Sequence, residues 1–227
     1  MQVIVSRHGN TFLPGETVVW VGARQDLPLV DTGIKQAKHL AQSLQQANIT
    51  LNAVYCGPLK RTSDYARIVV DELNASLEPI VDPRLNEIDY GHWSGLSTLD
   101  IQKRNDGSEL AAWENFSQWP KNAGWTSSAI FIANEVSAFA DDLIKQHAPT
   151  DSILVITSNG RLRYFLQLIP EAFEQHIQNK TFKVTTGHLC LLVYENKKWQ
   201  LKFWNEKPDS LKLCSPSLDL RHGKPIN

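Results

Sequence analysis

At 227 residues the chain is long enough to bury one sizeable core, as one large domain or a domain carrying an insertion. Its 42% hydrophobic and 21% charged content and its mean hydropathy of −0.29 are ordinary for a soluble globular protein. No apolar run approaches the roughly twenty residues of a membrane span, and a formal net charge of −1 excludes a global pull toward nucleic acid or acidic membrane, so any anion site has to be local.

The first predicted element is the strand Val3-Ile4-Val5-Ser6, which opens directly into Arg7-His8-Gly9-Asn10-Thr11. With a strand at once and no charged and apolar leader, the expected location is cytoplasmic. Cys56, Cys190 and Cys214 are odd in number and widely spaced, which argues against a disulfide framework or a zinc cluster. A polar loop with glycine and proline covers residues 9 to 30. Asp31-Thr32 is expected to cap a helix that turns Ile34, Ala37, Leu40, Ala41 and Leu44 inward. Asn52 to Cys56 reads as a short buried strand stopped by Gly57-Pro58. A second helix runs from about Lys60 to Leu73, with Ala66, Val69, Val70 and Leu73 inward, and residues 79 to 82 form a brief strand.

From about 96 to 127 the chain turns polar, dotted with Trp113, Phe116, Trp119 and Trp125. This texture predicts a helical cap insertion, or aromatics that simply pack the insertion onto the main body. Ile130, Ala133, Val136, Ala140 and Leu143 mark a long amphipathic helix. Ser152 to Thr157 is the clearest buried strand and stops at Ser158-Asn159-Gly160, before a short helix from Arg161 to about Ile169. Strands at about 184–194 and 198–204, joined by a turn at Asn196-Lys197, complete the pattern. The expected fold is α/β: a three-layer sandwich with a mainly parallel central sheet of about six strands flanked by helices, read as one domain over 1–227.

In such a sheet ligands gather beyond the carboxyl ends of strands. Three ends carry chemistry: Arg7 and His8 after the first strand, Arg61 in Gly57-Pro58-Leu59-Lys60-Arg61-Thr62, and Ser158-Asn159-Gly160 after the late strand. The loop Leu85-Asn86-Glu87-Ile88-Asp89-Tyr90-Gly91 offers carboxylates. Two arginines, a histidine and a carboxylate are the minimum set for phosphoryl transfer through a phosphohistidine. The tripeptide recurs as Arg221-His222-Gly223, but with no β-branched run before it, and reads as a solvated tail.

Together these pieces resemble the histidine phosphatase superfamily, the phosphoglycerate-mutase-like fold. The likeness runs from Arg7-His8-Gly9 through Asp26-Leu27-Pro28-Leu29, Gly33 with Gln36-Ala37, Pro58-Leu59-Lys60-Arg61-Thr62 with Ala66, Leu85 to Gly91 and Trp93-Ser94-Gly95 to Ser158-Asn159-Gly160. It implies that His8 is the nucleophile and phosphate carrier, Arg7 and Arg61 phosphate ligands, and Glu87 the proton donor to the leaving group, with Asp89 the competing carboxylate. It implies no metal and no organic cofactor, and a small phosphorylated metabolite or phosphoprotein as partner, with neither nucleic acid nor membrane.

Two positions depart from the family pattern. Ser158-Asn159-Gly160 stands where most members have Ser-His-Gly, so Asn159 offers an amide donor to phosphate but no positive charge. Pro14 stands where many members have asparagine, which leaves Asn10 or Arg24 to reach the phosphate instead. His188, in Thr185-Thr186-Gly187-His188, either replaces the missing imidazole or sits at a strand end on the surface. Arg161 and Arg163 read as solvated residues at a helix start, with one facing an anion as the alternative. The expected activity is a phosphomonoesterase, slow or specialised. The alternatives are a mutase-type isomerase and a degenerate binder of phosphorylated ligands.

Overall fold

The computed structural model describes residues 1–214, so the second Arg-His-Gly copy, Arg221 to Gly223, lies outside the described residues. Strand β1 (Gln2–Arg7) is followed by the long loop and then helix α1 (Asp31–Gln46). The sheet continues with β2 (Ala53–Cys56), helix α2 (Lys60–Glu72) and the two-residue β3 (Ile80–Val81). Helices α3 (Thr98–Ile101), α4 (Gly107–Phe116) and α5 (Ala129–Gln146) lead to β4 (Ser152–Thr157). Helix α6 (Asn159–Leu162) runs on into a 3₁₀ segment, then come α7 (Ala172–Asn179), β5 (Leu189–Glu195) and β6 (Lys198–Glu206).

The sheet order is β3-β2-β4-β1-β5-β6. The first four are mutually parallel, as strands joined by helical crossovers must be, and β5 and β6 add an antiparallel hairpin beside β1. The hairpin turn Asn196-Lys197 has φ of 51° and 60°, the left-handed pair that matches strand twist. Alternation along the central strands divides the core into two layers. Val3, Val5, Ala53, Tyr55, Ile153 and Val155 face one side, packed with α5 and the 96–127 segment. Ile4, Val54, Cys56, Leu154 and Ile156 face the other, against α1 and α2.

Several expectations are corrected. Val30, not Asp31, occupies the N-cap of α1; Asp31 is its first helical residue, where a carboxylate still faces the positive end of the helix dipole. Leu73 caps α2 and is only partly buried. On α5 Val136, Ala140 and Leu143 are buried as predicted, joined by Ile132 and Phe139, while Ala133 is only partly buried and Ile130 is 73% exposed. The 96–127 segment is helical only to Phe116. Trp113 and Trp125 are buried in the same cluster as β1 and β4, with Trp119 packed against it. Strand β5 begins at Leu189, because residues 184–188 are used elsewhere, and α7 has no counterpart in the sequence reading.

Where β1 ends, the backbone of Gly9 and Asn10 presses on the first turn of α1. A Cβ on Gly33 would overlap the Asn10 carbonyl oxygen, and one on Gly9 would lie 2.6 Å from Gly33 Cα. Neither neighbour can yield, since the Asn10 carbonyl accepts from Val30 N–H and its own N–H donates to Gln36 Oε1. Gly33→Ala is therefore expected to lower unfolding stability by about 1–3 kcal/mol in chemical denaturation. An unchanged denaturation midpoint would show that the first loop is not locked to α1.

Candidate active site

The order β2-β4-β1 sets three strand ends side by side. Arg7 pairs with Thr157 in the β1–β4 register and Cys56 with Ile156 in the β2–β4 register. His8 N–H donates to the Thr157 carbonyl at 3.1 Å and Gly57 N–H to the Ile156 carbonyl at 3.1 Å. The chain then leaves the sheet at adjacent points, and the next residues bring His8, Asn159 and Arg61 to one face.

His8 is 6% exposed. Its Nδ1 lies 2.8 Å from the Gly9 carbonyl. A carbonyl only accepts, so Nδ1 carries the proton and Nε2 keeps the lone pair. Burial, then the charges of Arg7 and Arg61, hold the imidazole pKa well below 6.5, against a smaller opposing pull from the Gly9 carbonyl.

The two guanidinium groups are anchored by carbonyls. Arg7 Nη1 donates to Val184 O at 2.6 Å, while its Nε is buried with no hydrogen-bond partner among the described residues. Arg61, 2% exposed, donates from Nη1 to Gln25 O at 2.9 Å and from Nη2 to Gly22 O at 2.8 Å. Burial lowers both guanidinium pKa values, and the Glu87 carboxylate opposes it.

Residues 184–188 bind the strand ends together. The Val184 N–H donates to Asn159 Oδ1 at 2.8 Å, so the NH₂ end is what Asn159 offers a ligand. Gly187 N–H reaches the carbonyls of Arg7 and His8, at 3.2 and 3.1 Å. Gln36 bridges Asn10 N–H and the Thr186 carbonyl, and Thr186 Oγ1 donates to Asn10 Oδ1. Asn10 likewise keeps its NH₂ end for a ligand.

Glu87 arrives from the loop beyond β3. Thr157 Oγ1 donates to Leu85 O at 2.8 Å and Arg161 Nε to Asn86 O at 2.8 Å, which fixes the loop over β4. Glu87 is 8% exposed and accepts from Ile88 N–H at 2.8 Å and Gly160 N–H at 3.3 Å. Tyr90, absent from the sequence reading as a site residue, hydrogen-bonds to Glu87, and burial raises its phenol pKa well above 10.0, keeping it a donor. A Cβ on Gly160 would lie 2.5 Å from both Glu87 Oε1 and Tyr90 Oη, so only glycine admits this pair. No periodicity in the loop signals that the phenol folds back on the carboxylate three residues earlier.

Other candidates are committed elsewhere. Arg24 pairs with Asp89 at 2.8 Å, and Asp89 also accepts from Gly91 N–H and Thr126 Oγ1. His188 Nδ1 donates to Asn205 O at 3.0 Å on β6. The expected solvation of Arg161 and Arg163 is corrected: they are 3% and 2% exposed. Arg161 pairs with Glu135 at 2.6 Å, and Arg163 donates to Trp113 O and stacks 3.8 Å above the Trp113 ring. Among the described residues no group of three or more His, Cys, Asp and Glu is placed to hold a metal ion, and no helix is long and apolar enough to cross a membrane.

The arrangement offers a neutral imidazole with a free lone pair, two cations with N–H groups to spare, two amide donors and a hydrogen-bonded carboxyl. Comparison with known proteins matches residues 3–207 to the sequence model of the histidine phosphatase superfamily (branch 1). A Yersinia pestis protein named "Probable phosphoglycerate mutase GpmB" is 33% identical over 228 residues, 96% of this chain and 98% of that protein. Phosphoserine phosphatase 1 of Hydrogenobacter thermophilus is 32% identical over 127 residues, 54% of this chain and about half (55%) of the relative. Among solved structures, the mycobacterial glucosyl-3-phosphoglycerate phosphatase Rv2419c, in complex with VO3, superposes with a TM-score of 0.73 at 21% identity, covering 91% of this chain and 99% of that one.

Because His8 is neutral in the folded chain below pH 6.5, where the unfolded chain binds its proton, this residue makes stability fall as pH drops below about 6.5 toward the folded pKa. In an NMR titration of the ring, His8 is expected to titrate well below pH 6.5. Arg61→Gln should move that midpoint upward, since one opposing cation is gone. A wild-type midpoint at or above 6.5 would contradict the electrostatic account.

Proposed function

The chain belongs to the histidine phosphatase superfamily, and from that membership we propose that this phosphatase- or mutase-like enzyme is a phosphomonoesterase working through phospho-His8. The observation that carries the reading is the fixed tautomer of His8, which leaves Nε2 unprotonated between two buried arginines. In this reading Arg7 and Arg61 grip the phosphoryl oxygens, with the NH₂ groups of Asn159 and Asn10 as further donors.

In the first step the Nε2 lone pair forms a bond to phosphorus as the ester P–O bond breaks. The departing oxygen takes a proton from the Glu87 carboxyl and leaves as the alcohol. In the second step water attacks phospho-His8 and gives a proton to the Glu87 carboxylate. The P–N bond breaks, and inorganic phosphate leaves with His8 neutral again. Tyr90 acts as a positioning residue that keeps the carboxyl aimed. A small phosphorylated metabolite is the favoured substrate class, as for the relatives named for phosphoserine and glucosyl-3-phosphoglycerate.

Asn159 weakens this machinery without dismantling it. A neutral amide replaces a group that carries charge in most of the family, and losing one such donor costs on the order of a hundred- to a thousandfold in rate. A histidine at 159 can keep the Val184 bond by accepting at Nδ1 while donating from Nε2.

His8→Ala should therefore abolish turnover of phosphomonoesters and the acid-labile phosphoryl adduct trapped by rapid quench. Glu87→Gln should slow alkyl phosphates by about a hundredfold or more, and aryl phosphates, whose leaving groups need little protonation, far less. Asn159→His should turn over faster than wild type. Phosphate binding with no turnover by wild type would instead establish a binding protein, and transfer of the phosphoryl group to a second hydroxyl would establish a mutase.

A further inference from the structure

The leaving group has to lie on the Glu87 side of the phosphate, because Glu87 protonates its oxygen. The surface there is aromatic. Tyr90, hydrogen-bonded to Glu87, has its ring 5.0 Å from Trp20 at 79° and 5.0 Å from Trp125 at 56°. Trp20 also meets Trp93 edge-on at 5.6 Å, yet stays only half-buried, unlike the buried Tyr90, Trp93 and Trp125. It is a fixed surface: its backbone N–H donates to Leu96 O at 2.9 Å, its carbonyl accepts from Gly95 N–H at 2.8 Å, and its indole N–H reaches Thr98 Oγ1 at 3.3 Å. The same stretch of chain supplies the Gly22 and Gln25 carbonyls that hold Arg61, so Trp20 stands at the rim of the phosphate site.

Among the described residues, the cations that reach that side are already engaged. The cations acting on Tyr90 are Arg7, Arg61 and Arg163. The first two are assigned to phosphate, and Arg163 is sealed beneath the Trp113 ring at 2% exposure. Arg24, on the rim, is paired with Asp89, whose own charge opposes a substrate anion.

We propose that the substrates are phosphomonoesters of uncharged, ring-bearing alcohols, with the ring laid against the exposed part of Trp20, which the buried Tyr90 backs, and that carboxylate-bearing phosphoesters are disfavoured. The inference rests on the phosphomonoesterase reading and names its substrate class.

The test compares alkyl esters whose leaving groups have similar basicity: 2-phenylethyl phosphate, ethyl phosphate, O-phosphoserine and 3-phosphoglycerate. In wild type, kcat/KM is expected to favour 2-phenylethyl over ethyl phosphate by about ten- to a hundredfold, the value of burying a ring, and to be lowest for the two carboxylates. Trp20→Ala should shrink the phenylethyl-to-ethyl ratio by about three- to tenfold, and Trp20→Phe should keep most of it. Circular dichroism and thermal melts confirm that both variants fold; if Trp20→Ala does not, the comparison of Trp20→Phe with Trp20→Leu decides, with Leu expected to lose the ratio. A preference for O-phosphoserine or 3-phosphoglycerate, or a ratio indifferent to residue 20, overturns the proposal while leaving the phosphatase reading intact. No turnover of any ester, or turnover that survives His8→Ala, overturns both.

Discussion

Arg7 and Arg61 are held out of water with Glu87 as the one carboxylate that acts on both, and that imbalance of charge governs the site. Burying a cation without a counter-ion is costly unless its N–H groups are satisfied. The chain meets part of that requirement with carbonyls, Val184 for Arg7 and Gly22 and Gln25 for Arg61, and leaves the Arg7 Nε without a partner among the described residues. A carbonyl dipole solvates a guanidinium without cancelling its charge. The arginines that hold the scaffold follow the opposite rule. Arg84 is paired with Asp82 and Asp142, Arg161 with Glu135 and Arg24 with Asp89. The same side chain is thus neutralised at Arg24, Arg84 and Arg161, and left positive beside His8.

The imbalance also dictates the state of the histidine. An imidazole beside two uncancelled cations in a water-poor site resists a third positive charge, so it stays neutral, and the Gly9 carbonyl then selects which nitrogen is free. Geometry comes from the sheet. Because β4 lies between β2 and β1, three chain segments far apart in sequence leave the sheet within two strand spacings of each other. The segment 184–188, which forgoes strand structure, spends its backbone groups on Arg7, His8 and Asn159.

Much of this was legible in the chain. The β-branched runs at Val3–Val5 and Ile153–Ile156 are buried strands, and the stripes of α1 and α2 face the core except at Ile34 and Leu73, which are only partly buried. The strand ends announced Arg7, His8, Arg61 and Asn159. What stayed hidden depends on contacts between distant segments. Arg161 and Arg163 look solvated one residue at a time; only the Glu135 carboxylate on α5 and the Trp113 ring on α4 make their burial tolerable. Tyr90 becomes part of the site through Gly160, seventy positions later, which leaves room for its hydroxyl. The predicted face of α5 holds at Val136, Ala140 and Leu143 but fails at Ile130, which is apolar yet lies exposed in the first turn.

Arg163 shows how far the distinction between neutralised and uncancelled arginines reaches. It lies four residues beyond Asn159, has no carboxylate partner among the described residues, gives one N–H to the Trp113 carbonyl and rests on the rings of Trp113 and Phe182 at 3.8 and 5.4 Å. An aromatic face, like a carbonyl, attracts a cation without annulling it. Its charge therefore persists and acts on Glu87 and Tyr90. Asn159 adds no charge to that field, but Arg163 does, from beneath the aromatic layer rather than at the phosphate. The positive potential of this third buried guanidinium is thus directed at Glu87 and Tyr90.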